Sequence, residues 1–173
     1  MEIFTLNSNN MLNVAEFMAA LKPDWWSAQG AFAQLSGGVP TNVGWFLGED
    51  ENTPRGWLLC TEFPSYSYLN IECLGFDDAG HFTAGNQLKP LLEKAEKYAR
   101  DADFRLLRYV ISSQGMFCDN KPIDKYWEVL RDLEPSTRTD FNFMVEYGFK
   151  PAGFLPNCYA KGLHGIILIK ELI

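Results

Sequence analysis

Glu72 is a lone carboxylate inside an otherwise apolar run, Tyr68–Phe76. A carboxylate in such a setting can take a proton from an attacking group. It reads equally well as a half-solvated strand residue, and one carboxylate does not decide between the two. The thiols offer less. Cys60, Cys73, Cys118 and Cys158 are widely spaced with no C-x-x-C pair, and with only His81 and His164 in the chain no zinc-ligand spacing can be assembled. Cys118 sits in a polar loop with no histidine linked to it in sequence, so cysteine nucleophilic chemistry is set aside. The remaining feature is a polar, Gly-containing stretch, residues 77–85, leading into the longest helical pattern of the chain. The unpaired N–H groups that open a helix, and its dipole, favour an anion, so the amides around Ala84 to Gln87, with the Thr83 hydroxyl, are a candidate phosphate site, although by itself the stretch reads better as a plain Gly-containing loop capping the helix.

These groups must be positioned by elements that the periodicity lays out. Residues 2–6 alternate as a first strand. Asn13 followed by Glu16 is a capping-box pattern opening a short helix through Leu21. Asp24 caps a second helix carrying Trp25, Trp26, Ala28, Phe32 and Leu35, ended by Gly37-Gly38. Residues 43–48 and 55–63 read as a hairpin around a polar turn, and Tyr68–Phe76 as a further strand. Strict alternation in that strand puts Tyr68, Asn70, Glu72 and Leu74 on one face and Leu69, Ile71 and Cys73 on the other. Leu88, Leu91, Leu92, Ala95, Tyr98 and Ala99 recur at helical spacing, with Lys and Glu on the opposite face. Residues 104–111 form a strand, 122–133 and 139–147 two helices with Gly148 as C-cap, and 149–159 and 163–171 two closing strands. The order β, α, α, β, β, β, α, β, α, α, β, β is α+β, with one strand–helix–strand unit that implies a parallel crossover.

The chain has 173 residues, enough for one domain spanning 1–173, and 47% hydrophobic residues give it the composition of a globular protein. Its formal net charge of -7 argues against nucleic-acid binding and against adsorption to an anionic membrane. The residues after Met1 lack a basic and apolar leader, and no apolar run approaches membrane-spanning length, so a cytoplasmic, reduced protein is expected.

This order resembles the GNAT superfamily of acyl-CoA-dependent N-acyltransferases, and three patterns carry the likeness. The first is the strand–loop–helix–strand unit with Leu88, Leu91-Leu92, Ala95 and Ala99 followed by Phe104-Arg105-Leu106-Leu107-Arg108-Tyr109-Val110. The second is the passage from Phe143 to Gly153, which contains Gly148-Phe149. The third is the apolar strand from Gly165 to Leu172. The resemblance implies a mixed, largely antiparallel sheet with one parallel β-α-β crossover and helices on both faces. It also implies transfer of an acetyl group from acetyl-CoA to a primary amine by direct attack.

Within that resemblance Leu74, Gly75 and Phe76 meet the thioester and pantetheine, while Thr83, Ala84, Gly85, Asn86 and Gln87 hold the pyrophosphate. The family's loop, Gln/Arg-x-x-Gly-x-Gly/Ala, is matched only at Gly85: Gly80 and Thr83 stand at the other two positions. Glu72 is then the candidate base. Met144 occupies the place of the family's usual tyrosine acid, and Tyr147 beside Gly148 is expected to pack, which leaves Tyr159, a water or no acid at all. Trp25, Trp26, Tyr66 and Tyr68 could line an acceptor pocket or serve as core and dimer contacts. The acidic balance suits a cationic amine, and a homodimer is permitted. The departures in the loop and at Met144 motivate an alternative, a GNAT-fold acyl-CoA-binding or regulatory module without catalysis.

Overall fold

Among the described residues, seven strands form one sheet in the order β1-β2-β3-β4-β5-β7-β6. They are β1 (Glu2–Thr5), β2 (Thr41–Gly48), β3 (Pro54–Phe63), β4 (Tyr68–Phe76), β5 (Leu106–Ser112), β6 (Lys150–Ala160) and β7 (Leu163–Glu171). The helices are α1 (Met11–Leu21), α2 (Ala28–Ser36), α3 (Gly85–Asp101), α4 (Tyr126–Arg131) and α5 (Thr139–Glu146). This computed structural model describes residues 1–37, 41–77, 85–116, 118–131, 133 and 139–172. All neighbouring strands are antiparallel except β4 and β5, which run parallel and are joined through α3. The mixed α+β architecture expected from the sequence is the one formed.

Two apolar layers sandwich the sheet. On one face Leu58, Cys60, Leu69, Ile71, Leu107, Ile166 and Leu168 pack with Leu88, Leu91, Leu92, Ala95 and Ala99 of α3 and with Phe141 and Met144 of α5. On the other, Phe46, Trp57, Leu59 and Cys73 pack with Val14, Ala15 and Met18 of α1 and with Ala31 and Leu35 of α2. Leu88, Leu91 and Leu92 of α3 are buried and contribute roughly 1.5–3 kcal/mol each, which together outweighs the roughly 3 kcal/mol that Pro90 costs inside the helix.

Several local expectations are corrected. α1 starts at Met11, so Asn13 lies inside the helix and reaches Asn52 instead (3.0 Å). Asn10 holds the cap position and turns its side chain backwards, accepting from the Asn7 N–H (2.9 Å) and donating to the Thr5 carbonyl (3.1 Å). The second helix is capped by Ser27, whose Oγ accepts the Gly30 N–H (3.1 Å), so Trp25 and Trp26 precede it. α4 covers only Tyr126–Arg131, because the chain before it is tied elsewhere: Lys121 to the buried His164, and Ile123 into the core.

Glu96 of α3 joins the helix to the sheet. It accepts from Lys170 of β7 (2.6 Å), Arg100 (2.8 Å) and the Tyr147 hydroxyl (3.1 Å). Burial works against its charge, but the Lys170 and Arg100 hydrogen bonds outweigh that and hold the carboxyl below its ordinary value. A carboxylate depressed in this way stabilises the fold above its unfolded-state pKa and loses that stabilisation as pH falls through the folded one. Glu96→Gln is therefore expected to flatten the loss of Tm on acidification from about pH 5 to about pH 3. Parallel melting curves for variant and parent across that range would refute the assignment.

Candidate functional site

The parallel ladder between β4 and β5 runs from Tyr68↔Leu106 to Ile71↔Tyr109 and stops there, although β4 continues to Phe76 and β5 to Ser112. Beyond that point the two strands part and leave a wedge between them. Because α3 carries the chain from the end of β4 back to the start of β5, its first residue, Gly85, lies at the same end as the wedge. Thr83 and Ala84 fall outside the described residues. Gly85, Asn86 and Gln87 form the opening turn of α3, whose N–H groups have no partner within the helix.

Glu72 sits where the register breaks. Leu59 pairs with Cys73 but Cys60 pairs with Ile71, so Glu72 is the extra residue of a β-bulge. The alternation read from the sequence therefore fails past Ile71. Cys73 faces α1 and α2, whereas Leu74 and Phe76 pack on the α3 side with Leu69 and Ile71. The bulge also reassigns the main chain. The Asp77 N–H donates to the Arg55 carbonyl (2.7 Å), which marks the alternate residues Gly75 and Cys73 as bonded to β3. The N–H and C=O of Leu74 and Phe76 consequently point the other way, into the wedge. Gly75 itself makes room on the opposite face. A Cβ there would lie 2.2 Å from the Trp57 ring, so its bare backbone is the seat for that indole.

The Glu72 side chain is exposed but not loose. Its Oε1 accepts from Asn70 Nδ2 (2.8 Å), and Asn70 Oδ1 accepts from Arg108 (2.7 Å), whose guanidinium lies 5.8 Å from the centre of the Tyr68 ring. Asn70 is buried, so the amide is a fixed link between an arginine and the carboxylate. Neither Asn70 nor Arg108 stands out in the sequence. The signal is a polar amide two residues before the carboxylate in an apolar strand.

Opposite, the Ser113 N–H donates to the His164 carbonyl (2.8 Å), which by the same alternation turns the carbonyl of Val110 away from β7 and into the wedge. The Tyr159 hydroxyl donates to that carbonyl (3.3 Å). Tyr159, on the edge strand β6, is thus carried across β7 to the wall facing β4.

Other residues singled out by sequence find structural roles. Met144 is buried in the core. Tyr147 is bonded to Glu96 with the Lys170 ammonium 4.0 Å from its ring centre, and burial raises its pKa. Cys118 is buried, which raises its pKa and makes it a poor nucleophile. At the surface Lys89 pairs with Glu93 (3.8 Å), and Glu49, in the polar turn between β2 and β3, pairs with Arg55 (3.2 Å). The aromatics divide into two groups. Trp25 and Trp26 form an edge-to-face chain with Trp57, at centroid separations of 5.6 and 6.0 Å, and Tyr66 and Tyr68 continue from Phe63. A separate pocket of about 240 Å³ between β2 and α3, walled by Trp45 and Tyr98, lies away from the wedge. There Tyr98 is held by Glu62, and this hydrogen bond raises its pKa to about 12. Among the described residues no cluster of three or more His, Cys, Asp or Glu could hold a metal, and no helix is long and apolar enough to cross a membrane.

No protein-family model and no curated protein sequence matches the chain. Solved structures do. The aminoglycoside 6'-N-acetyltransferase from Enterococcus faecium superposes at a TM-score of 0.83 with 13% identity, over 100% of this chain and 98% of that one. An aminoglycoside 6'-N-acetyltransferase complexed with coenzyme A gives 0.82, also at 13% identity and with the same coverage. A Desulfovibrio desulfuricans protein assigned to the GNAT family of acetyltransferases gives 0.67 at 16% identity, over 99% of this chain and 100% of that one. With its single parallel pair splaying apart over a bulge and these superpositions along its whole length, the chain has the fold of the GNAT N-acetyltransferases.

Proposed function

We propose that the chain is an acetyl-CoA-dependent N-acetyltransferase acting on a primary amine. The observation that carries this reading is the wedge: two parallel strands that part at Ile71/Tyr109, with Leu74 and Phe76 main-chain groups turned into the gap at the end where α3 begins. A pantetheine arm is an amide chain of strand-like width, so such an edge can hold it as an added strand. The opening turn of α3, Gly85 to Gln87, and the preceding Thr83 and Ala84 would receive the pyrophosphate. The coenzyme A bound to a protein of the same fold supports this fit.

When bound, acetyl-CoA supplies an activated acetyl thioester. The chain's own groups supply the rest. Glu72 takes the proton of the amine, directly or through a water, so that nitrogen attacks as the neutral base. The Leu74 N–H, turned into the wedge, would be the donor available to the oxygen on which negative charge develops. Tyr159, whose hydroxyl donates from the wedge wall, would give its proton to the departing thiolate, and solvent would then reprotonate the phenol and take the proton held by Glu72. The net charge of -7 and the exposed Glu72 favour a cationic acceptor, whose charge they attract.

The test is calorimetric titration with acetyl-CoA and desulfo-CoA, followed by thiol release over a panel of amines. Glu72→Gln is expected to lower kcat by about 100-fold. Asn70→Ala is expected to lower it about tenfold, with no further loss when combined with Glu72→Gln, because both changes act through one carboxylate. Binding without turnover on any amine, unaffected by Glu72→Gln, would instead favour a CoA-binding regulatory module, the reading that the buried Met144 suggests. No binding at millimolar ligand would sink both.

A further inference from the structure

The β6–β7 hairpin contains an irregularity that the site described above does not account for. Leu155 pairs with Gly165 and the next pair is Ala160 with Leu163, so residues 156–159 stand opposite His164 alone. This loop-out carries Tyr159. It folds down over Gly165, where a Cβ would meet Cys158 Sγ at 2.7 Å and Val110 Cγ1 at 2.8 Å, and so brings the tyrosine hydroxyl to the Val110 carbonyl. Three residues more than β7 offers, on an edge strand, have no ladder pairing to define them. What defines them here is His164.

That imidazole is 2% exposed. Its Nδ1 accepts the Asn157 N–H (3.2 Å), which leaves the proton on Nε2, placed 2.9 Å from the Lys121 carbonyl. One neutral ring thereby clamps the loop-out to the segment after β5. Its main chain is fixed from the same side: the His164 N–H donates to Ser113 Oγ (2.9 Å), and the Ser113 N–H to the His164 carbonyl (2.8 Å). The loop-out also closes on itself. Asn157, left-handed at φ +53°, accepts the Gly162 N–H on Oδ1 (2.8 Å), and the Gly162 carbonyl accepts from the Asn120 N–H (3.0 Å). Bulges re-aim side chains, and this one aims a single phenol.

We propose that His164 is the positioning residue for Tyr159: through the Asn157 amide it sets the loop-out that holds the hydroxyl at the wedge. The inference rests on the acetyltransferase reading for its kinetic consequence, but not for its structural one. His164→Gln keeps a donor near the Nε2 position and loses the acceptor for Asn157, whereas His164→Asn keeps an acceptor near Nδ1 and loses the reach to Lys121. In His164→Gln, amide exchange at Asn157 and Gly162 is expected to rise about tenfold and the Tyr159-ring-to-Val110 contact to vanish from the NMR spectrum. Its kcat is expected to fall as far as in Tyr159→Phe, with KM for acetyl-CoA unchanged and no further loss in the double variant. His164→Asn is expected to retain both the contact and kcat. Equal loss of kcat in the two His164 variants, or survival of the ring contact in His164→Gln, would overturn the proposal, whereas loss of the contact with kcat intact would remove Tyr159 from the chemistry and leave the positioning standing. If the parent turns over no amine, the acetyltransferase reading fails separately. The ring contact then decides: its survival in His164→Gln overturns the positioning role, and its loss supports it. Should His164→Gln not fold, the parent decides: protection of the Asn157 amide from exchange supports the His164 clamp, and exchange there as fast as in an unpaired edge loop overturns it.

Discussion

Gly85→Glu is expected to abolish detectable acetyl-CoA binding in calorimetric titration, a loss of at least about 100-fold in affinity. The expectation follows from where the cofactor's charge must be met. The protein carries a net -7, so its overall field repels a polyanion and offers no reserve of attraction. The grip must come from the local N–H groups at the start of α3, and a carboxylate at Gly85 places a like charge among them. The fold itself should tolerate the change, since an acidic residue in the first helical turn suits the dipole and the packing of α3 on the sheet is carried by Leu88 and the residues after it. Gly85→Ala, without the charge, should retain most of the affinity. Unchanged binding in the glutamate variant with an unaltered Tm would refute the placement of the pyrophosphate at this turn.

Gly75→Ala should be among the most destabilising single changes in the chain. The added methyl would start 2.2 Å from Trp57, whose ring is 1% exposed and held edge-on by Phe17 at 5.9 Å and Trp26 at 6.0 Å. The indole has no free direction in which to give way, so either the ring or β4 must shift. Overpacking of this kind costs about 2–3 kcal/mol. At this chain length that lowers Tm by roughly 4–12 °C. Trp57→Phe, which shortens the ring, should recover part of the loss when combined with Gly75→Ala, and two additive penalties in thermal melts would disprove the steric account. Because Gly75 lies between Leu74 and Phe76, a surviving fraction of Gly75→Ala should also bind acetyl-CoA less well.

Much of the fold is legible in the sequence because its signals are local. The ranges of β4 and β7 and the order of all twelve elements follow from runs of apolar residues and their periodicity, which depend on near neighbours in the chain. Caps are less legible. Asp24 and Ser27 are both good N-caps, and so are Asn10 and Asn13; the choice is made by where Trp26 packs on Trp57 and by what Asn10 and Asn13 reach across space. The length of α4 escapes the periodicity for the same reason, since Lys121 answers to His164, 43 residues away.

The candidate site divides along the same line. The residue pattern alone picks out Glu72 as an isolated carboxylate and the start of the long helix as a place an anion could sit, while Tyr159 enters only through the resemblance, as the hydroxyl left once Met144 and Tyr147 are set aside. Only the tertiary structure decides how they could act together. The bulge at Glu72 belongs to the pairing of β4 with β3 and turns Leu74 from one face of the sheet to the other, which no alternation count along β4 could reveal. The reach of Tyr159 to Val110 depends on a bare Gly165 beneath it and an imidazole beside it. Periodicity is a property of one strand, whereas a register shift is a property of two, and the groups of this site are set by register shifts.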